Sequence, residues 1–112
     1  MKAMTQPDHD ALAEALRRRV LEEPALTGLA LRQAVAASAQ GGPAAPLPYD
    51  ALARQIGEAA FRVTDAHVAS VVTAAGTEKA AFELIITAAV GAGLLRWQLA
   101  SKAIEEARDA PA

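Results

Sequence analysis

Apolar residues along the chain recur at intervals of three and four, and short polar or Gly/Pro-containing breaks divide the pattern into five segments. Leu12, Leu16 and Val20 lie four apart behind Asp8, whose carboxylate can accept from free first-turn amides, so a helix is expected from Asp8 to about Glu23. Pro24 ends it. A second helix to about Ala39 follows, with Thr27 as its cap and Leu26 and Leu31 as an apolar staple across its first turn. The run Gln40 to Pro48 holds two Gly and three Pro, which suit neither a helix interior nor a central strand. It is expected to be the main loop, and mobile.

A third helix, Tyr49 to about Phe61, sets Leu52, Ile56 and Ala59 on an inner face. The segment Val63-Thr64-Asp65-Ala66-His67-Val68 then has the form of a helix entry: Thr64 caps, Asp65 favours the positive helix end, and Val63 and Val68 occupy the staple positions. This fourth helix is expected to bury Val68, Val71 or Val72, and Ala75. It stops at Gly76, the residue type best able to take a left-handed conformation, and Thr77 caps the next helix at once.

The last helix can run from Glu78 to Ala107 without a proline, roughly 45 Å at 1.5 Å per residue. A compact chain of this size has a radius of gyration near 13 Å and a diameter of about 34 Å. The helix is therefore expected either to bend at Gly91 to Gly93 or to have its end covered by another subunit. Leu84 to Leu95 carries no charge and is apolar nearly all round, as in a helix buried on several sides. That stretch is shorter than the roughly 20 apolar residues of a bilayer span, so no membrane is expected. Ala89 and Gly93 permit a close helix crossing, at an oligomer seam or at the domain centre.

Composition sharpens this all-α picture of a single domain of 112 residues. Of the 53% apolar residues, 30 are alanine, which favours helices and close helix contacts and leaves a thin core. The net charge of −2 argues against a broad grip on nucleic acid or anionic lipid. Arg17 to Arg19 is interleaved with Glu14, Glu22 and Glu23 at helical spacing, as on a solvated face. The absence of cysteine suits a reducing, cytoplasmic setting, and the stretch Met1 to Asp10 has no apolar core of a signal peptide.

Several of these segments occur together in a known group. Val63 to Val68, Ala74-Ala75-Gly76, Phe82-Glu83-Leu84, Ala88 to Gly93 and Arg96 resemble the C-terminal half of the carboxymuconolactone decarboxylase and alkylhydroperoxidase D-like (AhpD-like) group, over roughly Pro48 to Ala107. The resemblance implies an all-helical domain of about five helices with a long C-terminal helix, forming dimers, trimers or hexamers. It also implies, for the peroxidase branch, a Cys-x-x-Cys pair flanked by a glutamate and a histidine. The matching region here, Leu31 to Gln40, contains no Cys, His or acid. Thiol peroxidase chemistry needs a thiolate, so that activity is not expected.

The decarboxylase branch need not use a thiol pair, which leaves Glu83, His67 and Arg96 as candidate catalytic groups, with Tyr49 and His9 behind them. Glu83 stands just before an uncharged helical stretch, where a carboxylate needs a partner and can act as a general acid or base. The plainer reading is a structural ion pair or hydrogen bond to a neighbouring helix. Arg96 lies about 220° round an ideal helix from Glu83, so the two could meet only across subunits. His67, third in its helix, feels a dipole that disfavours the protonated ring; an exposed first-turn histidine without a role is the plainer reading. No ligand spacing for a metal, phosphate loop or nucleophile elbow occurs, and no cofactor is expected. The tight turn at Gly76 permits a helix-turn-helix reading, but the following helix opens Glu78-Lys79-Ala80-Ala81-Phe82-Glu83, too apolar and acidic to read bases. Two functions therefore stand: a non-catalytic homo-oligomeric helical module, or a cysteine-free decarboxylase or lyase of small carboxylated substrates.

Overall fold

The computed structural model describes residues 8–111. Among them are five α-helices and no strand: α1 (His9–Leu21), α2 (Leu29–Ala39), α3 (Tyr49–Ala59), α4 (Asp65–Ala75) and α5 (Glu78–Asp109), with a 3₁₀ turn at Ala60–Arg62. The stretch Met1 to Asp10, read for a leader, lies mostly outside the described residues.

The helix starts follow from their caps. Asp8 Oδ1 accepts from the Ala11 amide at 3.0 Å, Thr64 Oγ1 from His67 at 3.2 Å and Thr77 Oγ1 from Ala80 at 3.1 Å. Each satisfies an amide that the helix itself leaves unpaired. Gly76, at φ +90°, ends α4 in the left-handed conformation. Thr27 is the exception: Gly28 is the residue before α2, without a side-chain cap, and the Thr27 hydroxyl donates instead to Glu83.

The centre of the fold is α2, which packs on α5 and on α3. It carries small residues there, and glycines on both neighbours press against them. A Cβ on Gly91 of α5 would stand 2.9 Å from Ala36 Cα, and one on Gly57 of α3 would stand 1.9 Å from the Ala39 carbonyl oxygen. The domain-centre crossing therefore runs through Gly91, with Ala88 and Ala92 beside it in the core, and not through Ala89 and Gly93. Those two are exposed. As the composition implied, the core is thin: its large members are Val35, Leu52, Ile56, Val71, Leu84 and Leu94, and the rest is alanine.

The connection Gln40 to Pro48 has the expected bounds but is not a free tether. Asp50, in the first turn of α3, accepts from Ser38 Oγ at 2.7 Å, from the Ala45 amide at 2.9 Å and from Arg54 Nε at 3.0 Å. Arg54 in turn donates to the Gly42 carbonyl at 3.0 Å. The loop is thus fastened at both ends of its path.

Helix α5 runs unbroken through Gly91 to Gly93, so the bend is not the way its length is accommodated. Its 32 residues span about 48 Å, and the described chain extends 53 Å along its longest axis with a radius of gyration of 16.6 Å. Among the described residues none after Leu94 is buried, and all those from Lys102 on are exposed, so the last turns stand clear of the core. An 18-residue window of α5 reaches a mean hydropathy of 1.4, enough by length and composition to cross a bilayer, but 44% of that window is buried inside the domain. That buried share packs on α2, α3 and α4.

Close packing at the two glycines has a measurable consequence. Gly57→Ala and Gly91→Ala each gain up to about 1 kcal/mol of helix propensity. The backbone clash is expected to outweigh it, by roughly 1–3 kcal/mol, and to be larger at Gly57. Urea denaturation midpoints check this; a stabilised Gly57→Ala would contradict the crossing.

Candidate functional site

Glu83 is the residue on which a catalytic reading most depends, and its surroundings are specific. From the second turn of α5 its carboxylate reaches the connection between α1 and α2, accepting from the Leu26 amide at 3.0 Å, the Thr27 amide at 2.8 Å and the Thr27 hydroxyl. Arg32 Nε stands 3.6 Å away. Arg32 is itself only 1% exposed and donates to the carbonyls of Val20, Glu23 and Thr27. Val20 is in the last turn of α1, where helical carbonyls lack intrahelical partners. The two side chains thus act as one polar knot: the guanidinium takes the carbonyls of the connection and the carboxylate takes its amides.

This environment decides the protonation state of Glu83. Burial raises its pKa, but the Thr27 hydroxyl, the Thr27 and Leu26 amides and the Arg32 charge together outweigh burial and hold the carboxyl below its ordinary range. The group stays ionised near neutral pH, with its acceptor positions directed at fixed donors. It is placed as a structural anion, poorly suited to proton transfer.

His67 serves the helix it opens. Its Nδ1 accepts from the Thr64 amide at 3.1 Å while its own amide donates to Thr64 Oγ1, a reciprocal capping box in which imidazole takes the place usually held by Glu or Gln. Arg96 donates from Nη2 to the Gly57 carbonyl at 2.6 Å, tying the last turn of α3 to α5. It lines a cavity of about 230 Å³ with Gln40, Gly57 and Glu58. Tyr49 packs against the hydrophobic core, and the His9 ring meets Trp97 edge-on at 5.9 Å. The contacts of Glu83, His67 and Arg96 are with different neighbours, and the chain brings no pair of them into hydrogen bonding.

Two residues of the knot and loop were not singled out from sequence. Arg32 is the one charged residue between Gly28 and Tyr49, a signal that, set beside the isolated Glu83, points to a buried pair. Asp50 precedes Arg54 by one helical turn, which marks an ion pair but does not reveal the Ser38 and Ala45 donors, since these come from the last turn of α2 and from the path of the loop.

Two open apolar grooves flank α5. One, of about 490 Å³, lies between α4 and α5 and includes Val68, Val72, Phe82 and Ile85, with Glu78 and Lys79 at its rim. The other, also about 490 Å³, lies between α1 and α5, with Leu12 and Leu16 on one wall and Ile86, Ala89, Gly93 and Trp97 on the other. The leucine face expected on α1 exists, but it stays uncovered: Leu12 is 59% and Leu16 45% exposed. Comparison with protein-family models, curated proteins and solved structures finds no match to this chain.

The knot predicts an acid-sensitive stability. A carboxyl whose folded pKa is lowered contributes stability that is complete above its unfolded value, about 4.3, and is lost as pH falls through the lowered folded value. Asp50, lowered by its Ser38 and Ala45 hydrogen bonds and by Arg54, acts in the same direction. Glu83→Gln is expected to cost about 2 kcal/mol at pH 7, less than a fully buried pair because the carboxylate keeps a quarter of its exposure, and to flatten the loss below pH 5. Urea midpoints measured from pH 3 to 7 read both effects; an unchanged pH profile in Glu83→Gln would contradict the assignment. At the α4 cap, His67→Ala is expected to lower stability by about 1 kcal/mol and His67→Gln by less, by the same assay.

Proposed function

We propose that this chain is a non-catalytic helical module that works as a homo-oligomer, on a frame like that of the carboxymuconolactone decarboxylase and alkylhydroperoxidase D-like group but without that group's thiol site. The observation that carries the reading is α5: one side of its proximal half is consumed by the core, while another keeps an open apolar surface that continues toward exposed last turns. A helix of this length standing in water gains little from propensity alone and is stabilised mainly by packing. The capacity of the molecule accordingly lies in what its surface binds.

The alternative, a cysteine-free decarboxylase or lyase, needs Glu83, His67 and Arg96 around one pocket. Their separate structural partners give that reading no support within one chain. A reducing, cytoplasmic setting fits a chain without cysteine.

Light scattering coupled to size exclusion is expected to give a mass that is a multiple of 11.6 kDa at micromolar concentration, with no turnover of an alkyl hydroperoxide by the same metal-free sample. A clean monomer, or hydroperoxide turnover, would contradict the proposal.

A further inference from the structure

We infer that α1 is a releasable arm, latched to the rest of the domain at the Arg32–Glu83 knot, which leaves α5 as a unit while α2 to α5 keep their fold. Nothing in this device requires a second copy of the chain. Among the described residues, α1 alone of the five helices has no buried residue. It packs on α2 and α5, and not on α3 or α4. Leu12 and Leu16, its apolar stripe, remain half-exposed although they form a wall of the groove on α5.

The hydrogen bonds that join α1 and its connection to other helices gather at one end. Arg32 takes the Val20 and Glu23 carbonyls, Gln33 Nε2 donates to the Leu21 carbonyl at 2.8 Å, and Glu83 takes the Leu26 and Thr27 amides and the Thr27 hydroxyl. From Asp8 to Arg19, by contrast, the side-chain hydrogen bonds and ion pairs of the described residues stay within α1 and the two glutamates that follow it. The opposite end rests on apolar and aromatic contact, with His9 edge-on to Trp97 at 5.9 Å. The 13 residues of α1 span about 20 Å, and the stretch of α5 from Glu83 to Trp97 about 21 Å. The arm therefore lies antiparallel along that stretch, with its latch at one end.

A 13-residue helix is marginal in water by itself, so α1 depends on what it docks against. Once the knot opens, only half-buried leucines hold the rest of it. Releasing α1 therefore costs less than opening the core, which is the condition for an opening short of global unfolding. The consequence falls on α5. Leu94, 8% exposed, and the half-buried Trp97 line the spaces beneath α1 together with Ala13. Undocking uncovers both and joins them to the exposed Ile86, Ala89 and Gly93, so α1 governs how much of this face the molecule presents. A ligand for the uncovered face draws the arm off by its preference for the open state.

Native-state hydrogen exchange of the full chain, under conditions where reclosing outpaces exchange, tests this with variants that act on either side of the opening. In the native chain the amides of Ala13 to Leu21 are expected to exchange at least a hundred-fold faster than those around Leu84 and Ala88. Ile56→Val weakens the core without touching α1, and is expected to speed the Leu84 and Ala88 amides roughly two- to ten-fold while leaving the α1 amides unchanged. Glu83→Gln opens the latch and is expected to speed the α1 amides roughly thirty-fold, the equivalent of the about 2 kcal/mol lost with the pair. Thr27→Val, a milder change that removes only the hydroxyl donor, is expected to speed them about ten-fold. Equal protection of α1 and the core in the native chain, or α1 amides that accelerate with the core in Ile56→Val, would mean that the arm opens only with the whole domain. If the α1 amides are indifferent to both latch variants, the helix frays from His9 with the knot intact. Any of these results overturns the inference.

Discussion

A guanidinium with almost no exposure must find a counter-charge and acceptors for its protons, and Arg32 meets this requirement by gathering the end of α1, the start of α2 and Glu83 of α5 at one point. Much of the arrangement depends on that constraint. Arg32 is fixed by the packing of α2, and α2 can lie so close to α5 because Gly91 stands against Ala36. The turn between α1 and α2 contributes backbone groups that would otherwise lack partners, and the carboxylate supplies acceptors for two of its amides. Replacing a pair of this kind by apolar residues can be neutral, whereas removing one partner leaves a buried charge. The pair therefore specifies where the connection docks more than it adds net stability.

Helix starts and stops were open to reading because they are local. Asp8, Thr64, Gly76 and Thr77 act through atoms within a few residues of themselves, and each takes the role its type favours. Thr27 has the right type for a cap, yet a carboxylate 56 residues away claims its hydroxyl. The small residues of α5 show the same limit: spacing marks Ala89 and Gly93 for a close crossing and Gly91 to Gly93 for a bend, but only the placement of Ala36 decides that Gly91 meets α2 while Gly93 stays exposed. The loop at 40–48 was bounded by its prolines and glycines, and its fastening by Asp50 depended on contacts that composition does not encode.

The candidate site shows the same division between residue type and context. Glu83, His67 and Arg96 are chemically able residues, and each is held in a structural role, as a turn anchor, a helix cap and a link between α3 and α5 respectively. What sequence could supply for Glu83 was the need for a partner, since a lone carboxylate before an uncharged helix is costly. It could not name Arg32 as that partner across the fold. These polar groups are taken up by structural contacts, and the surface left open lies along α5, whose length exceeds what the rest of the domain covers.

The exposed end of α5 is where the proposed self-association is most directly open to measurement. Hydrogen–deuterium exchange of the amides from Leu95 to Asp109, followed across a protein dilution series, reads whether a second molecule protects that segment. Pairing through α5 predicts slow exchange at high concentration that accelerates on dilution, while the amides around Leu84 and Ala88 keep their protection throughout. Fast exchange in the distal half at every concentration would contradict it.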